Sequence, residues 1–61
     1  MNIRSLYRLS LAIENLLDDI VDGNVNDENE VLEILLDAKR LTDLLSQELN
    51  NYIMKVAKGH M

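Results

Sequence analysis

No cysteine, proline, phenylalanine or tryptophan occurs anywhere in these 61 residues. Without cysteine there is neither a disulfide nor a thiolate metal site. Without proline the strongest helix breaker is gone. The single histidine, His60, sits next to the last residue, so no Ser/His or Cys/His nucleophilic set is available for catalysis. Only two glycines are present, Gly23 and Gly59, which rules out a glycine-rich phosphate loop. No uncharged apolar run approaches the ~20 residues that cross a bilayer. Arg4 and Arg8 are followed by interrupted, polar-spaced sequence rather than the apolar stretch of a signal peptide. Cytoplasmic placement, without a membrane, is the default expectation.

Cations are missing from a long stretch as well. Between Arg8 and Lys39 there is no lysine or arginine, whereas nine carboxylates fall there: Glu14, Asp18, Asp19, Asp22, Asp27, Glu28, Glu30, Glu33 and Asp37. The formal net charge is −5, which argues against a general binder of phosphate backbones.

What the chain does contain is leucine and isoleucine in a helical rhythm. At 48% hydrophobic it is too apolar for a disordered acidic tail. Leu6, Leu9, Ile13, Leu16 and Ile20 recur at three and four, with Ile3 and Leu17 widening the stripe. Gly23 follows the last of them and suits the left-handed residue that ends a helix. After it, Val31, Leu35, Ala38, Thr42, Leu45, Leu49, Tyr52 and Val56 form a second seam, flanked by Leu32, Ile34, Leu41 and Ile53. Asp27 with Glu30 three residues on approximates a capping box. Lys55 and Lys58 suit the negative end of the second helix dipole, and Gly59 is expected to stop it.

The spacing therefore predicts one all-α domain over residues 1–61: a helix over about 3–22, a turn over about 23–27, and a helix over about 28–58. A short connection makes the two helices antiparallel neighbours. Folding back about the turn sets Ile20 near Val31, Ile13 near Ala38 and Leu6 near Leu45. The second helix then outruns the first by about ten residues, or ~15 Å. Nothing in the hairpin would cover Tyr52, Ile53, Met54 and Val56. Leu11, Leu36 and Leu44 add apolar surface away from the seams. A chain this short removes only roughly 60% of its unfolded surface from water and is marginal alone. With disulfides and metals excluded, self-association is the remaining support. The hairpin is expected to dimerise into an antiparallel four-helix bundle.

Four candidate sites stand beside this frame. Asp18, Asp22, Gly23, Val25 and Asn26 fall at positions one, five, six, eight and nine of a calcium-loop pattern, and so resemble EF-hand-like loops, including the dockerin type. Ile20 stands at the third, liganding position, and Asn29 replaces the carboxylate at the twelfth. A register shifted to run from Asp22 to Glu33 puts Asp27 where glycine belongs. A glycine cap followed by a carboxylate cap accounts for the same residues, and no metal or other cofactor is expected.

Ser46-Gln47-Glu48-Leu49, followed by Asn50, resembles the Ser-Gln-Glu-Leu-Asp signature of the small sporulation aspartyl-phosphate phosphatases. These are helical hairpins of similar length, and the resemblance implies action on phosphorylated response regulators. Asn50 stands where that signature has aspartate. As helix positions, Ser46 and Gln47 also read as ordinary outward residues beside Leu45 and Leu49.

Paired carboxylates such as Asp18 with Asp19, or Glu30 with Glu33, lie on a solvated face with no cleft to push their pKa values apart. At the opposite end Arg4, Arg8, Lys55 and Lys58 gather with Tyr7 and Tyr52. RNA-binding helical-hairpin dimers of the Rop type share this general architecture, without a matching motif here. The nine acids on the same rod oppose nucleic acid.

No catalytic residue is expected. The reading is a small non-catalytic regulator or adaptor that binds another protein as a homodimer, of the kind phages and plasmids use as inhibitors. A structural subunit of a larger assembly would look the same. The expected partner-binding residues are Leu11, Leu36, Leu44, Tyr52, Ile53, Met54, Lys55 and Val56.

Overall fold

A computed structural model describes residues 2–59 and contains two packed α-helices, α1 (Ile3–Val21) and α2 (Glu28–Gly59). The Gly59-His60-Met61 end, apart from Gly59, lies outside the described residues. The start of α1 is set by Asn2. Its backbone is extended, and its Oδ1 accepts the N–H of Ser5 at 2.9 Å. That bond satisfies one of the amides that a helix start leaves without a partner.

The end of α1 is a Schellman turn. Gly23 takes φ 76° and donates to the Ile20 carbonyl at 3.1 Å, while Asn24 donates to Asp19 at 3.1 Å. Asp22 still belongs to the right-handed region, so the reversal rests on Gly23 alone. The expected glycine cap is therefore present.

The cap expected of Asp27 is not. Asp27 offers its backbone carbonyl to the N–H of Val31 at 2.9 Å, but among the described residues its carboxylate makes no capping bond. Glu28 and Glu30 in the first turn still sit favourably toward the positive end of the dipole, as Lys58 does toward the other end. Helix-compatible charge replaces a specific cap. At the last turn, Gly59 is included in α2 rather than standing beyond it.

Burial identifies the seam. On α1 exposure falls at Leu6, Leu9, Ile13, Leu16 and Ile20, as the periodicity predicts. On α2 it falls at Val31, Ile34, Ala38, Leu41, Leu45, Glu48 and Tyr52. The expected α2 seam is thus corrected: Ile34 and Leu41 belong to it, while Leu35, Thr42, Leu49 and Val56 are exposed. Both rows are three-and-four periodic and mainly apolar, and α1 packs on the one that includes Ile34 and Leu41. Among the described residues only Leu6, at 4% exposure, and Ala38, at 6%, are buried.

α2 has 32 residues and α1 has 19. The molecule is 51 Å long and only 16 by 13 Å across, so its length is essentially that of α2. Its radius of gyration is 14.8 Å, against about 10–11 Å for a compact chain of this length.

Candidate interaction face

At ~100° per residue, a position four residues after a seam residue lies ~40° around the helix from it. Stepping from the α1 seam this way gives Ser10 and Leu17, and Ile3 and Val21 extend that row. The same step along α2 gives Leu35, Thr42, Leu49 and Val56, with Leu32, Lys39, Ser46 and Ile53 beside them. Both rows are displaced in the same rotational sense. Because the helices run in opposite directions, that places both rows on one side of the hairpin.

This side is apolar. Ile3, Leu17, Val21, Leu35, Leu49, Ile53 and Val56 are all exposed, Val21 at 80% and Ile53 at 61%. On the other side, the positions just before the seam residues are Ser5, Ala12 and Asp19 on α1, and Glu30, Asp37 and Leu44 on α2. They are small or charged except Leu44. The hairpin is thus two-sided, with one apolar flank and one polar flank.

Three hydroxyls lie on this side, and two of them are bonded within their own helix. Ser10 Oγ donates to the Tyr7 carbonyl at 2.6 Å, and Thr42 Oγ donates to the Ala38 carbonyl at 2.7 Å. Such back-bonding to the preceding turn leaves the helix side chain presenting mainly carbon. Covering Ser10 and Thr42 would therefore strand neither hydroxyl, which is the usual cost of burying Ser or Thr, while Ser46 would need a partner across the contact.

The residues singled out from the sequence distribute over three surfaces. Ile53 and Val56 fall on the apolar flank, whereas Tyr52 is half-buried in line with the seam. The expectation that Tyr52 lies uncovered is thus corrected, and the uncovered stretch begins at Ile53. Leu11, Leu36 and Met54 lie on the outer surfaces, and Leu44 and Lys55 toward the polar flank, all exposed. Sequence reading missed Ile3, Leu17, Val21, Leu35 and Leu49 as one face. The signal was the row four residues beyond each seam, followed in both helices at once.

Charge is segregated along the length. Asp18, Asp19 and Asp22 end α1, where the dipole disfavours them, and Asp27, Glu28, Glu30 and Glu33 begin the return. Arg4, Arg8, Lys55 and Lys58 occupy the other half. The two ion pairs present among the described residues lie between them: Lys39–Asp43 at 3.0 Å and Arg40–Asp37 at 3.2 Å. Both are exposed pairs within one helix, worth about 0.3–0.5 kcal/mol each.

Nothing gathers these groups into a chemical centre. Among the described residues no cluster of three or more His, Cys, Asp or Glu side chains is placed to hold a metal ion. A shallow depression lined by Glu33, Leu36, Asp37 and Arg40 is formed by the outer surface of α2 alone. Neither described helix is long and apolar enough to cross a membrane. Ser46, Gln47 and Asn50 are exposed along α2, and Glu48 is half-buried.

Fold and face together define a two-helix hairpin with a one-sided apolar flank. The chain matches no protein-family model, no curated protein and no solved structure.

Proposed function

We propose that this protein is a non-catalytic regulator or adaptor that works as a homodimeric helical bundle and binds another protein through its helix surfaces. One observation carries the reading: a mainly apolar flank on a hairpin that, among the described residues, buries only two side chains. A folded protein of 7.0 kDa exposes roughly 4,000 Å². This chain exposes 4976 Å², an excess of roughly 900 Å², where a stable interface covers about 800 Å² per partner. A rod 51 Å long and 16 by 13 Å across has this excess by shape, and the excess is large enough to accommodate one protein contact.

Sedimentation equilibrium tests the homodimer. A dimer at micromolar concentration, with a thermal midpoint that rises with concentration, is the expected result. A monomer at high micromolar concentration overturns it.

A second reading has one observation in its favour. Ser46, Gln47 and Asn50 face solvent, so the Ser-Gln-Glu-Leu segment is reachable by a phosphorylated response regulator. An assay of phosphate loss separates the two.

A further inference from the structure

We infer that the molecule covering the α2 row of the apolar flank is a second copy of this chain, laid antiparallel so that α2 packs on α2 of its partner about a two-fold axis near Leu44. The inference rests on the homodimer reading and specifies its geometry.

A two-fold axis that pairs the same flank of both copies can run in only two ways. Along the length of the rod, it places both turns at one end and stacks α2 on the partner's α1. Across the rod, it places the turns at opposite ends and stacks each helix on its own counterpart. Three features favour the second.

The first is the overhang. α1 begins at Ile3, whereas α2 continues to Gly59 and is exposed at every residue past Tyr52. In the parallel arrangement the partner's α1 stops equally short, so Ile53 and Val56 gain no α1 to cover them. In the antiparallel arrangement they lie over the partner's turn half, alongside Leu32 and Leu35.

The second is the pattern of the α2 row under reversal. About Leu44, Leu32 meets Val56 of the partner subunit, Leu35 meets Ile53 of the partner subunit, and Thr42 meets Ser46 of the partner subunit. Apolar ends meet apolar ends and hydroxyls meet hydroxyls. Thr42 is already bonded within its own helix, yet its oxygen can still accept from a facing serine. Lys39 opposite Leu49 is the exception. Its ammonium is turned to Asp43, which leaves the aliphatic stem to lie across a leucine.

The third is charge. Under the same reversal the basic end of each rod lies over the acidic turn end of the other, with Lys55, Lys58, Glu30 and Glu33 all on surfaces turned away from the contact. The parallel arrangement instead sets two acidic turns side by side, each with seven carboxylates from Asp18 to Glu33. Exposed charges farther apart than ~10 Å are largely screened at ordinary ionic strength, so charge biases which ends lie together without forming ion pairs across the contact.

The test uses the full chain, which has no native cysteine to interfere. Asn24→Cys carries a spin label at the exposed turn, and dipolar spectroscopy reads the distance between the two labels of a dimer. Only the Asn24 backbone serves the turn, so the change leaves that bond intact. Labels near the molecule's full 51 Å length apart support the antiparallel arrangement. Labels within about 20 Å, a helix-packing distance with two label arms, overturn it while leaving the homodimer standing. Labelled and unlabelled chains that both sediment as monomers overturn both. Lys58→Cys gives an independent second distance with the same expectation. A register check follows: Leu35→Glu and Ile53→Lys should each raise the dissociation constant at least tenfold, and their combination should recover most of the loss. No recovery overturns the pairing of those two positions.

Discussion

Gly23 holds φ at 76° while donating its N–H to the carbonyl of Ile20 at 3.1 Å. The bond and the backbone angle belong together, because only the left-handed conformation points that amide back at the helix end. A Cβ built on Gly23 meets nothing within 4 Å, so space is not what requires glycine there. Gly23→Ala should therefore destabilise through backbone strain alone, by about 1–2 kcal/mol. Gly23→Pro should cost more, since proline has neither the positive φ nor the N–H. Urea unfolding at fixed protein concentration measures both. An alanine variant as stable as the parent would show that the turn does not hold this conformation in solution.

The other helix end gives a second prediction. Asn2 caps α1 through its side-chain oxygen, and α1 has no acid in its first turn. Asn2→Ala should cost about 1 kcal/mol. Asn2→Asp keeps the acceptor and adds a favourable charge, so it should match or exceed the parent by about 0.3–1 kcal/mol at low salt. The aspartate gain should shrink as salt is added, and thermal melts across an ionic-strength series would show it.

Packing gives a third. Leu6 is the most deeply buried leucine of the hairpin, and Leu6→Ala should cost about 2–5 kcal/mol. Leu16→Ala and Leu45→Ala, at half-buried seam positions, should fall below it. Leu11 lies on the outer surface, and Leu11→Ala should stay within about 1 kcal/mol of the parent. Equal losses at Leu6 and Leu11 would mean that the contact face of α1 has been assigned to the wrong side.

The functional readings separate on a fourth. Where the helix surfaces bind protein, Ile53→Asp and Met54→Asp should weaken association, because a charge enters an apolar contact and loses water. Gln47→Ala should change little. In the phosphatase reading the order reverses. A phosphorylated response-regulator domain would lose phosphate faster with the protein present, and Gln47→Ala would abolish that acceleration. Observing this pair of results would displace the adaptor.

The sequence made α1 legible because its apolar residues form one stripe with a charged back, and Leu6 to Ile20 allowed a single contact face. α2 was harder for a physical reason. Ile34 and Leu41 lie on one side of Val31, Ala38 and Leu45, and Leu35 and Leu49 lie on the other. Either set completes a seam, and only packing against α1 decides between them. The displaced set then becomes the exposed flank, so misreading the seam and missing the flank were one error. Asp27 shows a different limit. Its residue type and spacing fit a cap, yet whether a carboxylate turns to the amide depends on loop geometry that composition does not carry. Tyr52 shows a third, since a long side chain on an overhang can be half-buried where its backbone position suggests full exposure.

α2 is 32 residues long and α1 only 19. Past Tyr52, therefore, a substitution leaves the contact between the two helices alone, provided the residue tolerates a helix. Drift at Leu6 or Ala38 is answered by the stability of the hairpin, and few replacements pass. Drift at Ile53 or Val56 is answered only by whatever those side chains meet. The last seven residues of α2 are thus a stretch where surface chemistry can be changed without touching the packing that holds the hairpin.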